Sequence, residues 1–181
     1  MNRNSLSLTV VFTAAALSLG ALALAASTEQ IDADVAAALT RFYAQDQDHR
    51  DLAQKASAIL VFPHLTKAGA GIGGEYGEGA LEIDGKTVGY YKMTGASLGA
   101  TLGAAHRSEV ILFMTDDARA KFMNSRDWTV GVDAGVAIVK GAGVKADTET
   151  LRRPVVAFVF GEQGLIADVS MEGAKVSKLP L

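Results

Sequence analysis

Three glutamates in the middle of the chain have the type and spacing that acid–base chemistry could use. Glu78 and Glu82 are four residues apart and share one side of a predicted strand, whereas Glu75 and Glu78 lie on opposite sides. Two carboxylates on one face could exchange protons with a substrate. Solvated strand edges are nevertheless the preferred interpretation of all three glutamates.

The other motifs of enzymes and metal sites do not occur in the sequence. His49, His64 and His106 are far apart and show no metal-ligand spacing, so each is interpreted as a surface or loop histidine. The glycine-rich run from Gly71 to Gly77 lacks the Gly-Lys-Ser/Thr of a phosphate loop. A chain without cysteine can form neither disulfides nor thiolate metal sites. We therefore predict a protein that is not an enzyme and that has no cofactor and no metal.

Basic residues are scattered along the chain rather than clustered. If several of them meet at one end of a sheet, they would form a site for an anion or a lipid headgroup. Otherwise they are isolated solubilising charges. Both interpretations stay open for the following residues: Lys67, Lys92, Arg107, Lys140, Lys145, Arg152 and Arg153.

Composition excludes two broad classes of protein. Hydrophobic residues make up 49% of the 181 positions and the formal net charge is only −3, so the chain is not of the disordered type. An acidic balance also argues against a dedicated nucleic-acid binder, which needs a concentrated basic surface. The length suits one domain of ordinary size.

The N-terminus has the pattern of a secretory signal peptide. Residues 6–26 carry no charge, Arg3 precedes them, and Ala23 and Ala25 have cleavage-type spacing. We predict removal of residues 1–25, a single domain over residues 26–181, and a periplasmic or secreted product. An uncleaved membrane anchor is the alternative, because the uncharged run approaches the length of about 20 residues that spans a bilayer.

Hydrophobic periodicity predicts an α+β fold in which N-terminal helices pack on a glycine-rich antiparallel sheet or barrel-like core. One amphipathic helix is expected from Ser27 to about Ala44, and a short second helix should run through Leu52 and Ala56. Thr115 is expected to cap a third helix, with two aspartates in its first turn.

The remaining segments read as strands separated by turns. Pro63 is expected to end a short strand over residues 59–62, and Asp84-Gly85 should form a hairpin turn. Separate strands are predicted near residues 67–83, 87–91, 95–104 and 109–114, and another over residues 128–139. A terminal hairpin should turn between Gly161 and Gly164.

Glycine is unusually frequent, with 19 of the 181 residues, and many glycines occupy alternate strand positions. Gly95, Gly99 and Gly103 share one face of a predicted strand and leave it nearly bare. Either the protein's own aromatic side chains or backbone fill that space, or the bare face forms a groove for an elongated ligand such as an acyl chain. The sequence leaves both interpretations open.

Several segments, in order, resemble the SYLF-domain family over roughly residues 52–179. They are FP at 62–63, KAG at 67–69, GGEYGEGAL at 73–81, GYY at 89–91, MTD at 114–116, WTVGVD at 128–133, PVVAFVFG at 154–161, GL at 164–165 and MEG at 171–173. The resemblance implies a non-enzymatic domain that binds acidic phospholipids or phosphoinositides, with actin binding in the fungal members. It makes Lys67 a headgroup candidate, since this lysine lies in the KAG motif.

The lipid-binding residues predicted on these grounds are Lys67, Lys92, Arg107, Gly95, Gly99 and Gly103. The expected partner is a phospholipid or a membrane surface, and no nucleic acid is expected. Actin is not expected as a partner, because the first helix is acidic and the protein is predicted to be exported. An envelope module that binds another protein instead of a lipid is the alternative function.

Overall fold

The structure of the protein is a computed structural model that describes residues 27–131, 133, 135–139, 152–161, 164–165 and 173–180. The side chains of residues 68–72, 97–105, 164 and 165 are not part of that description. The predicted leader, Lys140, Lys145 and the strand expected over residues 166–171 therefore lie outside the described residues.

Two helices open the described chain, as predicted, although the second ends at Ala53 and does not reach Ala56. Helix α1 spans residues 27–45, and α2 spans Gln47–Ala53. The Asp46 side chain starts α2 by accepting a hydrogen bond from the Asp48 backbone N–H at 3.0 Å. A third helix, α3, covers Asp116–Asn124, and Thr115 caps it by accepting from the Ala118 N–H. Within the described residues, no helix combines the length and apolarity needed to cross a bilayer.

A very long antiparallel hairpin dominates the sheet. Strand β1 spans Ala58–Ile83 and β2 spans Lys86–Phe113, with Asp84 and Gly85 between them at φ of 52° and 71°. Two adjacent left-handed residues make the tight turn that matches the twist of the flanking strands, so the predicted hairpin is confirmed. The separate strands expected along this stretch are instead parts of two continuous strands.

Pro63 does not end a strand, contrary to the prediction. Strand β1 continues through it, and the pairing with β2 shifts register between Phe62 and Leu65. A proline has no N–H to give to a ladder, and a register shift is one of the few places where that missing donor is tolerated.

Five short strands complete the seven-stranded sheet: β3 (Asp127–Thr129), β4 (Val136–Val139), β5 (Val155–Gly161), β6 (Gly164–Leu165) and β7 (Lys175–Lys178). Their order is β3-β7-β2-β5-β4, with β1 also on β2 and β6 on β5. The single strand predicted over residues 128–139 is wrong, because its two ends form β3 and β4 in different parts of the sheet. The β4–β5 pair is parallel, an exception to the predicted antiparallel pairing.

The long hairpin curls until the start of β1 lies against the later part of the same strand. A Cβ at Gly77 would lie 2.5 Å from the carbonyl oxygen of His64, and one at Gly79 would overlap the carbonyl oxygen of Val61. Only glycine permits so close an approach between two backbone segments. At these two positions of β1 the protein's own backbone fills the space, whereas the two interpretations of the face with Gly95, Gly99 and Gly103 on β2 both stay predictions.

The curled sheet has an apolar core on each face. The inner core lies within the curl, where Phe122 of α3 packs on Phe113 and Trp128. The outer core lies under α1 and α2, where Phe42 packs against Phe158 and Phe160. Helices packed on a curled, glycine-rich sheet confirm the predicted α+β class.

Candidate functional site

Three charged side chains form a buried group, here called the inner charge cluster: Glu75, Arg107 and Glu109. Arg107 Nη2 lies 2.6 Å from Glu75 Oε1 and 3.3 Å from Glu109 Oε1. Arg107 and Glu109 are two residues apart on β2 and share its inner face, next to the apolar residues of the inner core. The curl of the hairpin brings Glu75 of β1 to the same place, so one guanidinium joins two strands.

Burial dominates the electrostatics of this cluster. Glu109 is fully buried, and desolvation raises the pKa of its carboxyl to about 8, against the opposing effect of Arg107. Burial also raises the pKa of Glu75, while the charges of Arg107 and Lys67 act in the opposite direction. Glu109 Oε2 and Arg107 Nε have no hydrogen-bond partner among the described residues. Burying these two polar atoms without a partner lowers the stability of the folded protein.

Arg107 is also one of the residues that line an open depression, here called the cationic pocket. Its volume is about 310 Å³, and its lining consists of Arg41, Pro63, His64, His106, Arg107, Ser108 and Gly161. Arg41 donates to Ser108 Oγ at 3.2 Å, and that hydroxyl donates to the Pro63 carbonyl at 2.7 Å. These bonds hold α1, β1 and β2 together around a pocket with two arginines and two titratable histidines.

A second, larger depression lies beside α1 and is here called the helix cleft. It encloses about 830 Å³ with mainly apolar walls. The first turns of α1 form one wall, and β1 forms the other through residues 63, 64, 66 and 74–78. Tyr76 contributes a half-exposed ring, and its hydroxyl donates to Glu78 at 2.5 Å. The volume lies within the usual range of small-molecule sites.

A comparison with protein families matches a segment that includes β2 from residue 94 onward. The Ysc84 family, described as "Las17-binding protein actin regulator", matches residues 94–179. The match confirms the resemblance to the SYLF domain, which is the domain of this family. No curated protein sequence matches the chain.

Three of the predicted lipid-binding residues meet around Glu75. Arg107, inside the Ysc84-family segment, contacts the Glu75 carboxylate, and the charge of Lys67 lowers the pKa of that group. Gly95 pairs with Glu75 across the hairpin, and a Cβ added to Gly95 would lie 3.7 Å from Glu75 Oε2.

The other three predicted residues make no described contact with Glu75. Lys92 pairs with Glu78 and Ser177 and, three residues from Gly95 in the same strand, points to the opposite face. Gly99 and Gly103, also in the Ysc84-family segment, pair with Gly71 and Gly69.

The structure corrects two interpretations of titratable residues. Glu75 does not belong to a solvated strand edge, because it is buried against Arg107. His49 is not a surface histidine, because its ring stacks on Phe42 at 4.5 Å and its Nδ1 lies 3.1 Å from the Phe42 carbonyl. His64 and His106 are exposed as predicted, but both line the cationic pocket.

Two residues of the site were not predicted from the sequence. Glu109 begins an otherwise apolar run that predicts a buried strand, so it was not considered as a site residue. A charged residue in such a run indicates a buried partner of opposite charge. Arg41 stands alone on an acidic helix face, and only the packing of α1 on the sheet reveals its neighbours. Within the described part of the chain, no three His, Asp or Glu side chains are grouped as a metal site would require.

Proposed function

We propose that this protein is a non-enzymatic binding domain for anionic lipids that is exported to the cell envelope. The cationic pocket is the observation that carries the proposal. An acidic chain, with a formal net charge of −3, places Arg41 and Arg107 together with two histidines at one open depression. Such a concentration of positive charge in an otherwise negative protein favours an anionic ligand.

The carboxylates nearby leave positive charge in excess at the pocket. Because the pKa of Glu109 is raised to about 8, this group is mostly uncharged at neutral pH, and Arg107 then faces only one negative charge, on Glu75. Arg41 is exposed and bonds to a neutral hydroxyl, so its charge is available to a ligand. A phosphate group could accept hydrogen bonds from the exposed Arg41 guanidinium.

Vesicle co-sedimentation tests the proposed function. The protein should sediment with phosphatidylglycerol vesicles more than with phosphatidylcholine vesicles, and less so in high salt, because salt screens exposed charges. Arg41→Gln should weaken binding to the anionic vesicles about tenfold, through the loss of one charged contact. Arg126→Gln, which removes an exposed arginine outside the pocket, is the matched control and should bind like the wild type.

Two results would contradict this assignment. No sedimentation with any vesicle at any salt concentration would overturn lipid binding itself. Equal binding by Arg41→Gln and the wild type would place the lipid elsewhere than in the cationic pocket.

The proposal of export rests on the N-terminal sequence pattern, and the first residue of the mature protein tests it. We expect N-terminal sequencing of the protein from an envelope fraction to begin at Ala26, since residues 1–25 have the charge and small-residue pattern of a cleaved signal peptide. A protein that keeps Met1 and sediments with membranes would favour the uncleaved anchor instead. Recovery from the cytosol with Met1 retained would overturn export.

A protein-interaction module is the second candidate function, and the description of the Ysc84 family favours it because it names a protein target. If the vesicle experiment is negative, a pull-down from envelope extract should then yield one partner in stoichiometric amount. An exported protein would not meet actin, so we do not extend actin regulation to this chain.

A further inference from the structure

The cationic pocket and the helix cleft are neighbours rather than separate sites. Pro63 and His64 line both of them, so the two depressions meet along this short stretch of β1. His64 Nε2 also lies 3.7 Å from Asp34 Oδ2 of α1, which places this contact where the two depressions join.

The carboxylates in the cleft are already engaged by protein groups. Glu75 pairs with Arg107, Glu78 accepts from the Tyr76 hydroxyl, and Asp34 lies beside His64. What the cleft offers to a ligand is therefore its apolar surface, which includes Ile31 and Pro63. A mainly apolar cavity that meets a few convergent polar groups at one end is the usual form of a site for an amphiphilic small molecule.

The glycines of β1 differ in how much free space an added Cβ would find. Backbone from the start of the strand fills the space at Gly77, whereas a Cβ at Gly74 would meet nothing closer than the Gly95 oxygen at 4.0 Å. Gly74 lines the helix cleft and is exposed. The missing side chain at Gly74 thus widens the cleft without being required by the packing.

We propose that the cationic pocket and the helix cleft form one site for a single-chain anionic lipid, with its phosphate at Arg41 and its acyl chain beside α1. This assignment rests on the proposed lipid-binding function and adds the position of each part of the ligand. Charge complementarity orients the ligand, because the exposed Arg41 lines the pocket and the mainly apolar walls lie in the cleft.

Native mass spectrometry with palmitoyl-lysophosphatidylglycerol as the probe tests the two-part site. Gly74→Leu adds an apolar branch at the cleft wall and should weaken binding of this probe roughly tenfold or more, because the chain loses buried contact. Gly74→Ala, which adds one methyl group in open space, is the matched control and should bind like the wild type. Thermal unfolding of both variants checks that they fold.

Two further probes separate the contributions of headgroup and chain. Glycerol 3-phosphate, which has no chain, should bind far more weakly than the full probe and equally to Gly74→Leu and the wild type. Palmitoyl-lysophosphatidylcholine, which carries no net charge, should bind more weakly than the full probe and be insensitive to Arg41→Gln.

The outcomes distinguish this inference from the function on which it rests. If the wild type binds anionic vesicles and the probe, but folded Gly74→Leu binds the probe equally well, the cleft does not hold the chain and the two-part site is wrong. Glycerol 3-phosphate binding as tight as that of the full probe would have the same consequence. If the wild type binds neither vesicles nor the probe, the proposed function itself fails.

Discussion

Gly79→Ala should lower the free energy of unfolding by roughly 3 kcal/mol or prevent folding, although it adds a single methyl group. The new Cβ would overlap the carbonyl oxygen of Val61 and lie 2.9 Å from both the Val61 carbonyl carbon and Phe62 Cδ1. Phe62 is fully buried, and the Val61 group is backbone, so neither can move aside without a shift of the strand. Urea unfolding followed by circular dichroism measures the loss.

Gly74→Ala is the matched control for this prediction, since it makes the same change in the same strand. The nearest atom to the added Cβ is the Gly95 oxygen at 4.0 Å, an ordinary contact distance. Its free energy of unfolding should change by less than about 0.5 kcal/mol, as for other exposed positions. Equal stability of the two variants would show that β1 does not fold back upon itself at Gly79.

The second large effect concerns pH, and it follows from the buried carboxyl of Glu109. The protein should lose about 1 kcal/mol of unfolding free energy per pH unit as the pH rises from about 5 to about 8. Glu109→Gln should remove most of this slope and be more stable than the wild type at the upper end. The amide keeps a carbonyl oxygen for the Arg107 contact and has no proton to lose.

The sign of this pH dependence follows from the number of protons bound in the folded and unfolded states. Burial raises the pKa of Glu109 to about 8 in the folded protein, whereas the pKa in the unfolded chain is near the ordinary value of about 4.3. Between these values the folded state holds a proton that the unfolded state has released, so raising the pH favours unfolding. The raised pKa of Glu75 acts in the same direction.

Urea unfolding at about pH 5.5, 7 and 8.5 measures the slope for the wild type and Glu109→Gln. Glu29→Gln, which removes an exposed carboxylate on α1, is the control and should keep the slope of the wild type. A slope that Glu109→Gln leaves unchanged would mean that the buried carboxyl is not protonated in the folded protein.

Local features of the fold could be predicted because each depends on a few neighbouring residues. The Asp84-Gly85 turn follows from the left-handed conformation that this pair tolerates, and the start of α3 follows from the capping side chain of Thr115. The apolar stripe of α1 likewise predicts the face that packs on the sheet, where Val35 and Phe42 are fully buried.

The errors along β1 and β2 share one physical cause, which is the curl of the long hairpin. Alternating glycines were interpreted as several strands, but β1 and β2 continue through them and bend, and Pro63 is accommodated at a shift in register. Periodicity gives the face on which a side chain lies but not the direction in which a strand bends. Glu75 was therefore assigned to solvent, although the bend buries it against Arg107.

The sequence by itself determined the α+β class, the number and order of the three described helices, the hairpin turn and the resemblance to the SYLF-domain family, which the match over residues 94–179 confirms. Only the tertiary structure decided which side chains meet: Arg107 with Glu75 and Glu109 inside the curl, and Arg41 of α1 with Ser108 of β2. The physical reason is that turns and caps are set by bonds within a few residues. The site depends instead on contacts across the sheet, which exist only once the backbone of β1 closes over Gly77 and Gly79.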